Sequence, residues 1–257
     1  MGGGGNDVTM KGGVQEVETL PGRIIAALRV RNEGRWISAV LESLQPLCST
    51  IIVMDDHSTD DTREQCARLG AEVWLSPFTG LDEHRDKNWL LSKVAPHQPD
   101  WVFLVDGDEA LDKSGPDQIR RSLAGGTADH LIFQVMYLWN RVDAVRQDGV
   151  YSSFWTPRLY RWGPGIGFLP TNYAKCNLHC MVAPQYRQHG RMCGAKLWHL
   201  GYLFAEDRLR KYAWENEHDP GNAREDFYRH VVQGDLPDIP ADIRLAHAGP
   251  LRLEAVA

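Results

Sequence analysis

The first half of this chain predicts an α/β fold, with a mostly parallel central sheet flanked by helices and a smaller region appended to it. Three observations predict it. Short apolar runs begin at Arg23, Ser49, Ala71 and Trp101, far enough apart for a helix between successive runs. The stretches between them carry helical periodicity instead of strand alternation. Three of the runs end in polar clusters: Arg31-Asn32-Glu33, Asp55-Asp56, and Asp106 to Glu109.

Residues 1–20 open Met-Gly-Gly-Gly-Gly without an apolar period and read as a flexible leader. Arg23–Val30 reads as the first strand, and Trp36, Ile37, Val40, Leu41 and Leu44 then share one face of a helix. Ser49–Met54 is the second strand. Thr59-Asp60 opens a helix that carries Cys66 and Leu69 and stops at Gly70. Ala71–Leu75 is the third strand, and Asp82–Val94 is a helix. The unbroken run from Trp101 to Val105 suits a strand buried on both faces. A fifth strand is expected over about 129–138, and a helix over Asp207–Trp214. These elements assign residues 21–218 to one domain, with halves 21–112 and 113–218. The remainder, 219–257, mixes proline, glycine and charge and reads as a tail or lid.

At 257 residues the chain can bury a sizeable core. A formal charge of −6 argues against a general nucleic-acid binder. No apolar run approaches the roughly 18 residues of a membrane span. Five cysteines, with Cys48 and Cys66 in core-like patterns, suggest reduced thiols and a cytoplasmic protein. Neither the glycine-rich dinucleotide fingerprint, nor the P-loop, nor the nucleophile elbow is present.

The chemistry is expected where the acids gather. Asp106, Asp108 and Glu109 fall within four positions at the end of a buried strand, and would repel one another without a cation between them. Mg²⁺ or Mn²⁺ suits hard oxygen ligands and is commonly shared with substrate phosphates. In open α/β sheets ligands bind beyond the carboxyl ends of the strands, where all three polar clusters fall.

Four blocks, taken together, resemble the family 2 glycosyltransferases: Arg29-Val-Arg-Asn-Glu33, Val53-Met-Asp-Asp-His-Ser-Thr-Asp60, Asp86-Lys-Asn88 and Leu104-Val-Asp-Gly-Asp-Glu109. The match runs well over about 22–112 and more weakly to about 215. It implies a GT-A fold that takes a UDP-, GDP- or dTDP-sugar donor with Mn²⁺ or Mg²⁺. By that resemblance Asp56 meets the base, and Arg29, Arg31, Asn32, Glu33 and Asp55 lie around the nucleotide. Asp106 and Gly107 face the ribose and metal shell, and Asp108 ligates the metal. Arg85 and Lys87 offset phosphate charge, and His199 is a further metal ligand.

An inverting transferase also needs a base for the acceptor hydroxyl. No Asp or Glu stands between Asp148 and Glu206, where the family often draws it, which leaves Glu109 or His179. Trp155, Arg158 and Tyr160 are expected on the acceptor side, although Trp155 and Tyr160 also suit simple strand packing. The acceptor is a small molecule, a glycan (lipid-linked ones included) or a protein. Two other readings stand beside this one. One is a sugar-1-phosphate nucleotidyltransferase. The other is a non-catalytic binding protein stabilised by zinc on Cys176, His179, Cys180, His189 and Cys193.

Overall fold

The computed structural model describes residues 22–80, 82–124, 126–170, 180–182, 186, 188–218, 227–239 and 241–248. Its first half follows the expected alternation. Strand β1 (Ile24–Val30) is followed by α1 (Ile37–Leu44), β2 (Thr50–Asp55), α2 (Thr62–Arg68), β3 (Glu72–Leu75), α3 (Glu83–Val94) and β4 (Trp101–Leu104). Strand β1 pairs in parallel with β2 on one side and β4 on the other, and β2 pairs in parallel with β3.

The residues of β1 divide between two cores, as the period of two requires. Ile24, Ala26, Leu28 and Val30 pack with Ile37, Val40, Leu41 and Leu44 of α1. Ile25 and Ala27 point the other way, onto Leu90, Leu91 and Val94 of α3. Helix α2 starts slightly later than Thr59-Asp60 suggests. The Asp60 carboxylate accepts a hydrogen bond from the Thr62 amide at 3.1 Å, which satisfies an early helical donor. Gly70, at φ +81°, ends that helix as expected. The Asp82 carboxylate accepts from the Arg85 amide and caps α3.

Beyond β4 the sheet becomes mixed. Its remaining strands are β5 (Glu109–Leu111), β6 (His130–Trp139), β7 (Arg141–Arg146), β8 (Phe154–Arg161), β11 (Gly190–His199) and β12 (Leu245–His247). A separate antiparallel pair joins β9 (Phe168–Pro170) to β10 (Cys180–Val182). The main path runs β12-β7-β6-β8-β4-β1-β2-β3. Strand β11 leaves that path, parallel to β6 and antiparallel to β5. Helix α4 (Gly115–Ala124) packs along β11, and α5 (Ala205–His218) follows it. No helix among the described residues is long and apolar enough to cross a membrane.

The segment after α5 docks on the fold where it is described. A 3-10 turn at Phe227–Val232 buries Tyr228, Val231 and Val232. Arg208 of α5 is 1% exposed and forms a bidentate pair with Asp235, at 2.5 and 2.7 Å. The same guanidinium donates to the Tyr202 carbonyl and to Asn140, and lies 4.3 Å over the Trp139 ring.

Candidate active site

The carboxyl ends of β1, β2 and β4 converge, as their parallel pairing requires. A cavity of about 370 Å³ opens there, within the size range of ligand pockets. Arg29, Arg31, Asn32 and Glu33 line it from the end of β1, and Asp106, Gly107 and Asp108 from the turn after β4. Asn32 turns the chain at φ +54°, a left-handed conformation that asparagine tolerates. Its side-chain carbonyl accepts from the Thr59 amide at 2.8 Å, which ties the β1 turn to the β2 turn. Gly107 leaves room for this convergence: a Cβ there would meet Val30 at 2.9 Å and Glu33 at 3.0 Å.

Strand β11 supplies the opposite wall. Its antiparallel register sets His199 against Glu109, and the Leu200 amide donates to the Asp108 carbonyl at 2.8 Å. The His199 Nε2 therefore stands 3.4 Å from the Asp108 Oδ2. Burial pulls the imidazole down to about 4, against the pull of Asp108. Its Nδ1 is buried without a hydrogen-bond partner among the described residues.

The acids are met by cations of the chain itself. Arg158, on β8, donates to Asp106 at 2.5 Å and to Glu109 at 2.6 Å. Lys211, on α5, pairs with the Asp108 Oδ2 and lies 3.6 Å from the Glu33 Oε1. Arg29 pairs with Asp56 and, at 3.0 Å, with Asp86. Burial acts against ionisation of Asp108, yet His199 and Lys211 outweigh it and hold the carboxyl well below its usual range. At Glu33 and Glu109 burial prevails over the adjacent cations, and each is pushed up to about 7.

The other expected site residues fall in several places. Asp56 lies behind Arg29 and Arg31 and is 2% exposed, while Asp55 is enclosed and accepts from the Ser58 amide. Lys87 lines a second cavity of about 140 Å³ with Asp106 and Arg158, and pairs with Glu83. Arg85 turns away, onto the Phe78 ring at 4.2 Å and the Gly80 carbonyl. Glu109 lines neither cavity and is buried beneath Arg158. Tyr160 is buried in the core between His130 and Phe168, and Trp155 is half-exposed on β8 outside both cavities. His179 and Cys176 lie outside the described residues, as does the side chain of Cys180. Cys193 is buried against Ser122, whereas His189 is exposed beside Asp129.

Four residues of α5 belong to the site without any motif that marks them in the sequence. Arg210, Lys211, Trp214 and Glu215 all line the 370 Å³ cavity, as does Tyr202. The available signal was the spacing of Lys211 and Glu215, one helical turn apart on a single face.

The arrangement can hold a dication. Two donors at right angles on one Mg²⁺, each about 2.1 Å from it, stand roughly 3 Å apart. The 3.4 Å between Asp108 and His199 is close to that. No group of three His, Cys, Asp or Glu gathers at metal distance among the described residues. A protein-side set this small leaves most of a metal's coordination to phosphate oxygens and water.

No protein-family profile matches the chain. It is 28% identical to an uncharacterized protein of Mycobacterium tuberculosis, over 73% of this chain and 48% of that protein. It is 30% identical to an uncharacterized glycosyltransferase of Rickettsia conorii, over 47% of this chain and 42% of the relative. The chain thus spans less than half the length of these curated relatives. Among solved structures, residues 1–349 of TarS from S. aureus align over 82% of this chain and 69% of that one, at 14% identity and a TM-score of 0.49. Glucosyl-3-phosphoglycerate synthase from M. tuberculosis, solved with Mn²⁺, UDP and glucosyl-3-phosphoglycerate, aligns over 45% of this chain and 44% of that chain, at 25% identity and a TM-score of 0.34. In sequence the chain is glycosyltransferase-like, and its fold is the α/β arrangement expected of it.

Proposed function

We propose that this chain is the catalytic part of a metal-dependent glycosyltransferase that takes its sugar from a nucleoside-diphosphate donor. One observation carries the reading. The parallel strand ends place Asp106, Asp108 and Arg29 around one cavity, and β11 and α5 bring His199 and Lys211 to the same place. The Rickettsia relative is named an uncharacterized glycosyltransferase, and the mycobacterial synthase was solved with UDP and Mn²⁺.

In this reading the donor's nucleoside lies toward Arg29, with Asp56 and Asp86 holding that arginine in place. Arg31 and Arg210, both substantially exposed at the cavity, face the diphosphate. Asp108 and His199 would hold the dication, which, when bound, supplies charge neutralisation for the departing nucleoside diphosphate. Arg158 fixes Asp106 while Glu109 anchors Arg158 from behind, which makes Glu109 a positioning residue. The acceptor hydroxyl must lose a proton as it attacks the anomeric carbon. Two glutamates line the cavity and are placed to take it, Glu33 and Glu215.

Thermal denaturation with a panel of nucleoside diphosphates tests this. One of them, with Mn²⁺ or Mg²⁺ present, should stabilise the protein by about 2.7 kcal/mol at a hundred times its Kd. Either component alone should give much less, and Asp108→Asn should remove the synergy. A nucleotide shift indifferent to metal in both proteins would refute the assignment of Asp108.

A further inference from the structure

Helix α5 delivers a cation to the very oxygen that a metal needs. The Lys211 ammonium pairs with the Asp108 Oδ2, and His199 approaches the same oxygen at 3.4 Å. The Glu33 Oε1 stands 3.6 Å from the same ammonium, and the Tyr202 ring centroid lies 5.9 Å from it. The position is built closely around this pair. A Cβ on Gly201 would collide with both the Asp108 carboxylate and the Lys211 ammonium. The Lys211 side chain is only 20% exposed, unlike an ordinary helix-surface lysine.

An ammonium and a dication cannot share one carboxylate oxygen at bonding distance, because their mutual repulsion in a half-buried site is strong. The four-carbon stem of lysine lets the charge move without moving the helix. Arg210, beside Lys211, and Arg31 also line the cavity, both partly exposed, and offer further positive charge to an incoming anion.

We propose that Lys211 is a tethered counter-ion that occupies the cation position of the empty donor site and is displaced when metal and nucleoside diphosphate bind together. The inference rests on the function proposed above and assigns how that site is gated. Free metal must compete with a cation held at high local concentration, so it binds poorly alone. A metal with its diphosphate brings enough negative charge for Lys211 to leave Asp108 and pair with phosphate. The donor and metal then enter as a unit.

Titration of Mn²⁺ by electron paramagnetic resonance, without nucleotide, tests the inference directly. Lys211→Met should bind Mn²⁺ alone about tenfold more tightly than wild type. Lys211→Arg, which keeps a tethered charge, should stay near the wild-type value. Lys211→Gln replaces the methionine variant if circular dichroism shows that the latter is not folded. A gain of less than threefold in the folded neutral variant, or no Mn²⁺ binding by any protein, would overturn the proposal. The same titration with UDP, GDP and dTDP separates the two claims. If no nucleotide tightens Mn²⁺ binding to wild type, the glycosyltransferase reading fails. A tighter neutral variant in metal alone would still establish the competition at Asp108.

Discussion

Substituting Arg158 by glutamine should destabilise the protein by an amount that grows with pH, because Arg158 is the counter-charge of the buried Glu109. Burial already pushes that carboxyl up to about 7 with the guanidinium 2.6 Å away. The sign follows from proton linkage. A carboxyl whose folded-state pKa is raised holds stability that is complete below the ordinary 4.5 and is lost as pH rises to about 7. Removing Arg158 raises the folded-state value further, so the loss continues upward in the variant after it has ended in wild type. At pH 6 Glu109 is largely protonated in both proteins. The variant then loses only hydrogen bonds, about 1–2 kcal/mol. Above pH 7 the penalty should grow by up to about 1.4 kcal/mol per unit, reaching about 3–4 kcal/mol at pH 8.5, consistent with breaking a buried pair. Asp106, more than half exposed, adds little. Urea unfolding of wild type and variant, followed by tryptophan fluorescence at both pH values, reads the difference directly. Equal penalties at pH 6 and pH 8.5 would refute the claim that Glu109 is a buried charge held by Arg158.

Three further expectations rest on single contacts. Gly201→Ala places a Cβ against the Asp108 carboxylate and the Lys211 ammonium. It should cost about 1–3 kcal/mol and weaken the metal-dependent nucleotide shift; a wild-type Tm and shift would show that the site is looser than described. His230 accepts or donates a hydrogen bond at the Tyr151 hydroxyl, and burial and the nearby Arg146 charge depress its protonation below the usual 6.5. Its contribution is therefore present above about pH 6.5 and lost as pH falls, so His230→Gln should flatten the acid side of the stability profile. Identical wild-type and variant slopes between pH 7 and 5 would contradict this. Burial pushes the Cys48 and Cys66 thiols up to about 12. Peptide-resolved iodoacetamide labelling at pH 8 should leave both unmodified until denaturant is added, and rapid native labelling of either would place it at the surface.

The parallel half of the sheet was legible because its signals are local. Strands buried on both faces read as unbroken apolar runs, and the α1 stripe Ile37, Val40, Leu41 and Leu44 is buried as its spacing predicts. The convergence of the clusters at Arg31-Asn32-Glu33, Asp55-Asp56 and Asp106 to Glu109 also follows, since parallel strands bring their carboxyl ends to one edge. Strand β11 was harder. It contains Gly190 and Gly194, and its pairing with β6 joins residues some sixty positions apart, as in Gly190 with His130. Helix α4 opens on Gly115-Pro116 and buries little beyond Ile119 and Leu123, too short a stripe to stand out. Acids packed at a strand end need positive charge beside them, and a metal is one source of it. The structure places Arg158 and Lys211 there, from β8 and α5, because side chains distant in sequence can neutralise a cluster as well as an ion can. Periodicity shows which residues share a helix face, but not what that face will meet.

The pairing of Arg208 with Asp235 gives α5 a fulcrum. Arg208 sits three positions before Lys211, and its guanidinium is clamped from the tail by Asp235 and from the sheet by Asn140 and Trp139. A cut, fusion or cross-link near residue 235 therefore has leverage on a lysine more than twenty positions upstream. Such a change would re-aim the charge at the cavity while leaving every other residue that lines it in place.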